Sequence, residues 1–566
     1  MTLRRPWSYP RTAAAALLAA MLALAAAQPF GAAGAPGTKP TSTAAVSRIA
    51  ATGRLLAAVI VRSSTPGSHA AERAVGRAGG HVIRRLPLVN GVAATVPVGA
   101  LPTLAGTPGV AVTPDRRVHV QMLPRSGSSG SSVQSVYPTV VRAKDVWTRG
   151  DTGAGVTVAI VDTGVSSTVH DLQGRLVQVT DDRTGQSASC VNLSGEPNCN
   201  DSYGHGTFVA GIIAGNGADS NGKWKGIAPS ARILSVKIAG ADGAADVSNV
   251  LAAMQWVVSF GPRYGVRVLN LSLGTDSAQP YAQDPLNYAV ERAWDAGIAV
   301  VVSASNRGPD PRTISKPGDD PFVVTVGAMD DEGSRNDNDD VLPDFTSRGP
   351  TPADGIAKPD VATPGAHIVS LRAVGSTIDT QFPYYVDGYY RKGSGTSMAA
   401  GVASGVAALA LSANPTWTPD RLKYALVHTT QPTASTDPNA VGAGLLDAYA
   451  ATYAAPAGTA NQGLTRSSGL GAINNSRGTV QTATTDPDRL GVVINGLLTA
   501  QLLVWDPVGY TTGQWNTSTW YSTAWYLSRW YQLGWYGADW PGSNWRNDKY
   551  WYGTPWKGGA WWGAWE

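Results

Sequence analysis

Gly393-Ser394-Gly395-Thr396-Ser397-Met398-Ala399-Ala400 places one serine at a glycine-rich turn that runs into Gly401 to Leu411, where every residue is Ala, Val, Leu, Gly or Ser. A helix of such residues is buried, with its amino end left open. Open helix ends offer unpaired backbone N–H groups and a partial positive charge, which favour an oxyanion beside the serine. A glycine-framed serine alone is only a turn, so its partners decide the question. An activated serine needs a base within hydrogen-bond reach and a carboxylate that fixes the base's tautomer. Val156-Thr157-Val158-Ala159-Ile160-Val161 is an apolar β-branched run, read as a buried parallel strand, and it ends at Asp162-Thr163-Gly164. In an open α/β sheet, functional groups gather at such strand ends. Tyr203-Gly204-His205-Gly206-Thr207 opens a short helix, Phe208 to Ala214, with His205 at its start.

In this order, Asp162-Thr163-Gly164, Gly204-His205-Gly206-Thr207 and Gly395-Thr396-Ser397-Met398-Ala399 resemble the three signature blocks of the subtilisin-like serine proteases. The similarity spans about residues 133–453, from ahead of Trp147 and Gly150 to Gly442-Ala443-Gly444-Leu445-Leu446-Asp447-Ala448. It implies a three-layer α/β fold with a mostly parallel central sheet, and an endopeptidase acting on proteins or peptides. Asp162 would orient, His205 would act as base and then acid, and Ser397 would be the nucleophile that forms an acyl-enzyme. No cofactor is needed for that chemistry. Asp-Thr-Gly is also the signature of aspartic proteases and occurs twice, at Asp151 and Asp162. Two lobes must each supply one such turn, whereas these copies are eleven residues apart with a single strand between them.

Acyl transfer also needs donors aimed at the developing oxyanion. The run Ile298 to Val302 ends at Ser303-Ala304-Ser305-Asn306-Arg307-Gly308, which resembles the family's oxyanion block and implies Asn306 as a side-chain donor beside the Ser397 N–H. Ser305 stands where the family has glycine. The resemblance also gives Ser272-Leu273-Gly274, after the strand from Val268, the role of pairing with an extended substrate by β-augmentation. The pocket floor falls within Ile314 to Phe322, where Asp319 and Asp320 either favour a basic residue or face solvent. Gly401 and Val402 replace the usual Pro and His, and Gly401 is expected to cost about 0.5–1 kcal/mol of helix stability. Asp171 matches a family calcium ligand, with Asp219 and Asn221 in the loop that would supply others, so a structural calcium is expected there.

Arg4, Arg5 and Arg11 precede an uncharged run from Thr12 to Ala27, a signal-peptide pattern too short for a typical membrane span, so residues 1–27 read as a secretory leader and 28–53 as linker. No later segment has eighteen uninterrupted apolar residues. The only cysteines, Cys190 and Cys199, are expected to pair as a disulfide in an exported chain. The formal net charge of +4 conceals a division. Residues 54–117 hold eight Arg and two acids, a balance of +6, while 118–453 hold 24 bases and 32 acids, a balance of −8. The two should attract. Residues 54–120 resemble the α+β inhibitory propeptide of secreted subtilases, with 121–132 as a processing linker. No aromatic-basic stripe accompanies the positive charge, so nucleic acid is not expected as a partner.

Residues 454–500 read mostly as linker, with an apolar strand from near Leu490 to Val504. In 501–566, Trp515, Trp520, Trp525, Trp530, Trp535, Trp540 and Trp545 recur every five residues. Period five matches neither a strand face nor a helix face. Exposed Trp platforms of this kind suit wall polysaccharide, against which stands a tail whose rings pack only on each other. The competing class for the whole chain is an inactive subtilase-fold protein whose Trp tail carries a surface-binding function.

Overall fold

The computed structural model describes residues 56–472 apart from 121–133, 182–183, 276, 278, 337 and 384–385, and beyond them the short strands Thr484–Asp486, Gly491–Val493 and Ala564–Trp565. The leader 1–27, the linker 28–53, the processing linker 121–132 and the Trp repeat up to Gly563 lie outside the described residues.

The amino-terminal unit comprises β1 (Leu56–Ser63), α1 (Ala70–Arg77), β2 (His81–Leu86), β3 (Gly91–Pro97) and β4 (Val110–Pro114). β1 lies between β3 and β4, antiparallel to both, and β2 extends the sheet beyond β3. Because strand side chains alternate between faces, β1 sends Val59 and Val61 to a small core with Val75, Leu101 and Leu104, and Ile60 to the opposite side. There Ile60, Leu86, Val89 and Ala93 join the main core of the molecule. Gly491–Val493, the described part of the expected apolar strand, runs parallel to β1 with Ala57 opposite Val492.

The second unit is built on seven parallel strands. They are β6 (Thr157–Asp162), β7 (Cys190–Asn192), β8 (Arg232–Lys237), β10 (Val266–Leu271), β12 (Ala299–Ser303), β13 (Val324–Met329) and β14 (Val361–Pro364), in the spatial order β14-β13-β12-β10-β6-β8-β7. The apolar runs of β6, β12 and β13 are buried from end to end, as a sheet covered on both faces requires. The helices form two groups. One contains α2 (His205–Ala214), α5 (Thr396–Ala413), α6 (Pro419–His428) and α7 (Ala448–Tyr453), packed on one another; the other pairs α3 (Val247–Phe260) with α4 (Pro285–Asp295). The amino-terminal unit sits on the second group, where Arg84 donates to Asn249 at 3.1 Å and the Leu88 N–H to Gln255 at 3.2 Å.

α5 is the one described helix long and apolar enough to cross a membrane, and 89% of it is buried in the core. α5 runs unbroken through Gly401, which sits where it meets α2. A methyl group there would lie 3.2 Å from Ile212, and one at Gly405 would collide with Ile227. Both glycines permit close helix packing, so their conformational cost is offset by contact.

Residues 455–471, expected as linker, form a strap that runs from α6 of the first helix group to α4 of the second. Asn461 donates to Asp420 at 2.8 Å, Arg466 pairs with Asp295 over the Phe322 ring, and the Ser467 N–H donates to both oxygens of Glu291 at 2.9 and 3.0 Å. Burial, then the nearby Asp320 charge, push the Glu291 carboxyl up to about 8. A carboxyl with a raised folded-state value contributes stability that is complete below its ordinary 4.5 and lost as pH climbs through about 8. Glu291→Gln should therefore flatten the decline of the urea midpoint across that window; parallel wild-type and variant curves would refute this.

Candidate active site

β6 delivers Asp162 at its carboxyl end, 1% exposed. Its Oδ1 accepts the Thr163 N–H at 2.7 Å, and its two oxygens lie 2.7 and 2.8 Å from Nδ1 of His205. His205 is the first residue of α2, preceded by Gly204 at φ +109°, a left-handed conformation where a side chain would also strike Ser376. An Nδ1–H donated to the carboxylate leaves Nε2 as the basic lone pair of the neutral ring. That nitrogen is buried and has no hydrogen-bond partner among the described residues.

Ser397 stands in the first turn of α5, after Gly395. Gly401 and Val209, each one turn beyond Ser397 and His205, meet where α5 and α2 pack, so the two helices present these residues at adjacent ends. The Ser397 hydroxyl donates to the Ser272 carbonyl at 3.2 Å, and the Ser272 hydroxyl donates back to the Ser397 carbonyl at 3.1 Å. Asn306 follows β12 and is 4% exposed. Its Oδ1 accepts from the Thr396 N–H at 2.8 Å and hydroxyl at 2.9 Å, which turns Nδ2 away from those donors; Nδ2 has no partner among the described residues. Ser305, in the glycine position, keeps a glycine-like φ of +100°, so its backbone carries strain of about 1–3 kcal/mol.

The cleft beside Ser397 holds a strand of the same chain. β5 (Arg117–Val120) lies between β9 (Ala244–Asp246) and β11 (Leu273–Gly274), antiparallel to both, with Val118 opposite Ala245, His119 opposite Gly274 and Val120 opposite Leu273. The Val120 N–H donates to Gly243 at 3.3 Å, and Arg117 pairs with Asp242 at 3.2 Å. Just upstream, the Arg116 carbonyl and the Asp115 carboxylate accept the N–H groups of Val247 and Ser248 at 2.8 and 2.9 Å. Those are the first two residues of α3, so the amino-terminal unit caps a helix of the other unit.

Comparison with protein families matches residues 153–471 to the subtilase family. The chain belongs to the subtilase family. Serine protease AprX of Bacillus subtilis is 41% identical over 315 residues, 54% of this chain and 68% of that protein. Subtilisin BL of Lederbergia lenta is 33% identical over 312 residues, 55% and 96% of the two chains. In fold, the chain is similar to the crystal structure of fervidolysin from Fervidobacterium pennivorans, with a TM-score of 0.53 at 24% identity over 70% of this chain and 61% of that one. This subtilase is a subtilisin-like serine endopeptidase.

Other expected sites of the subtilase stand differently. Cys190 and Cys199 are bonded, tying β7 to the loop that leads to Asp201. Of the residues expected to hold a structural calcium, Asp171 and Asp219 have protein partners. Asp171 accepts N–H groups from Gly217 and Asp219, both at 3.0 Å, and the Tyr390 hydroxyl at 2.8 and 3.0 Å, so donors occupy the face a cation would need. Asp219 is bound to His170, and Asn221 ends a short turn at φ +51°. Among the described residues, no group of three or more His, Cys, Asp or Glu is arranged to hold a metal ion. Asp319 and Asp320 do not face solvent: Asp319 is paired with buried Lys316 and bound by Asn287 at 2.9 Å, and burial pushes Asp320 up to about 7.

Sequence reasoning missed the buried residues that hold the subtilase's site together. Asp201 accepts the Thr163 hydroxyl at 2.7 Å and the N–H groups of Gly204 and Thr207 at 2.7 and 2.8 Å, joining the Asp162 turn to the start of α2. Lys237 donates to the Thr163 and Asn200 carbonyls, both at 2.7 Å, and Asn270 binds Ser272 and Ser404, each at 2.9 Å. The available signal was Asp201 four residues before His205, a polar residue ahead of a helix.

Proposed function

We propose that the chain is a secreted endopeptidase made as a self-processing precursor, with Asp162, His205 and Ser397 as its triad and Asn306 as an oxyanion donor. The observation that carries this reading is that His205 Nε2 and Asn306 Nδ2 are buried with no hydrogen-bond partner among the described residues, while a chain segment pairs with the strand after Ser272, the residue bonded to Ser397. In this reading the two nitrogens are the base and the oxyanion donor, and each is a desolvated polar group that substrate would satisfy, at about 1–3 kcal/mol.

In the proposed reaction, an extended peptide takes the place of β5 between β9 and β11. The Ser397 hydroxyl turns from the Ser272 carbonyl to Nε2 of His205, which takes its proton as Oγ attacks the scissile carbonyl carbon. The oxyanion accepts from Asn306 Nδ2 and the Ser397 N–H. As the tetrahedral centre collapses, the C–N bond breaks and the leaving amine takes the proton from Nε2. Water, deprotonated by the same nitrogen, then releases the acid product and restores the hydroxyl. Asp162 holds the tautomer and offsets the imidazolium charge.

Residues 54–120 are read as the inhibitory propeptide of this enzyme. Export is supported by the leader pattern in 1–27 and by the disulfide, and the Trp repeat is read as a platform for wall polysaccharide on the strength of its spacing. Pairing advances from His119 opposite Gly274 to Val120 opposite Leu273, and a substrate bound in the same register would set Ser272 against the residue whose carbonyl is cleaved, which by chain order is Gln121. Cleavage should follow Gln121. Amino-terminal sequencing of the incubated precursor should begin at Met122, as titration with a serine-reactive phosphonate reports one active serine per chain. A stable first terminus elsewhere would reject the register, and no phosphonate labelling would reject the enzyme mechanism.

A further inference from the structure

Arg62 is a buried cation at a junction of three parts of the chain. It lies on β1 of the amino-terminal unit and is 2% exposed. Nε donates to the Val89 carbonyl of its own unit, Nη1 to the Ser468 carbonyl of the strap at 2.7 Å, and the guanidinium covers the Tyr288 ring of α4 at 4.4 Å. Burial lowers its pKa to about 10, partly countered by Tyr288 and Asp284. The strap is held in place for this contact. Its Ser467 N–H is bound by Glu291, the Ser467 hydroxyl donates to the Tyr281 carbonyl at 2.7 Å, and the Ser468 N–H donates to the Ala282 carbonyl at 2.8 Å. Gly469 follows at φ +60°, and a methyl group there would collide with the guanidinium of Arg62.

We propose that residues 465–469 complete the surface that holds the amino-terminal unit, so that the carboxyl-terminal strap acts as a clasp on the cleaved propeptide through Arg62. The proposal rests on reading residues 54–120 as a propeptide. Two features separate the clasp from ordinary packing. A planar guanidinium is the one side chain that can donate to Val89 and Ser468 at once while lying flat on Tyr288. The strap's contribution there is a backbone carbonyl beside a residue whose φ favours glycine, so the loop has shape for this guest and little else. After cleavage the propeptide is tethered by noncovalent contacts alone, and one charge-assisted hydrogen bond with a ring contact is then a sizeable share of what delays its departure.

The test uses the full chain. Wild type, Arg62→Lys and Gly469→Ala precursors, carrying a tag at the amino terminus, are allowed to cleave, and loss of tagged propeptide from the enzyme is followed alongside the rise of peptidase activity. Cleavage should proceed at the wild-type rate in both variants, and release should be about tenfold faster, the scale of one hydrogen bond to a charged group. Lys keeps the charge but loses the fork; Ala at 469 leaves the propeptide sequence untouched, so a folding defect in one variant does not spare the proposal the other. Because both break one contact, the double variant should release no faster than the faster single one. Release within twofold of wild type in Gly469→Ala would overturn the clasp. If wild type cleaves and its amino-terminal fragment neither stays bound nor delays activity, the propeptide reading fails, and the clasp with it.

Discussion

Ser397→Ala should accumulate as an uncleaved chain with no measurable peptidase activity. The hydroxyl is the only group of the protein proposed to bond to the scissile carbon, and it lies in the first turn of α5, fully buried, with the Ser272 carbonyl as its acceptor in the precursor. Removing it deletes the acyl-enzyme path but leaves Asn306 and the strand pairing in place. Loss of a nucleophile in a serine protease triad costs on the order of 10⁶ in kcat, and a residual effect of about 10³–10⁴ over water survives from binding and the oxyanion donors. Such a residue is too slow to process the chain in a purification. The methyl group of Ala occupies the place of Cβ, so folding should be unaffected and the melting temperature should stay within a few degrees of wild type. A Met122 terminus formed in purified Ser397→Ala at the wild-type rate would overturn self-cleavage.

Asn306→Asp should lower kcat by at least about 10²–10³ with little change in KM, a scale known from loss of the corresponding donor in a subtilisin. The substitution is chosen because Asn306 has two jobs. Its Oδ1 receives Thr396 at 2.8 and 2.9 Å, which fixes the turn before Ser397, and an aspartate oxygen can keep both bonds. Its Nδ2 is a buried donor without a partner among the described residues, and an oxygen in that position repels the charge that develops on the substrate. The ground-state carbonyl gains little from this donor, so the effect belongs to the transition state. If kcat were unchanged, Asn306 would be a turn residue and the oxyanion would need another donor; if KM alone rose, its role would be substrate binding.

How far the site was legible in the residues follows from the range of each interaction. Asp162, His205 and Ser397 each sit at a junction their neighbours dictate: a β-branched run that must end, and two apolar helices that must begin after glycine. Those are local instructions, so both the elements and the ends at which the three residues stand could be read. Asp201 could not be weighed, because its meaning comes from Thr163, 38 residues away, and from N–H groups that converge only once α2 is docked. The partners of Asp171 were hidden on the same ground. Asp171 looks like a free ligand until Tyr390, 219 residues later, and two loop N–H groups fill its lone pairs. The strap 455–471 has no helix or strand period; it is held by polar contacts to Glu291, Asp295 and Asp420, so composition alone made it a linker.

What the sequence determined by itself was the alternation of buried strands and helices, the family, and the residues available for chemistry, because hydrophobic period and glycine placement act over a few residues. The tertiary structure alone decided which lone pairs stay open and what lies in the cleft. Among the described residues it leaves His205 Nε2 and Asn306 Nδ2 without partners while giving Asp171 the Tyr390 hydroxyl, it lays β5 along β11, and it sets Ser468 on Arg62. Hydrogen bonds are short-ranged and directional, so their pairing is settled only when segments hundreds of residues apart have been packed against one another.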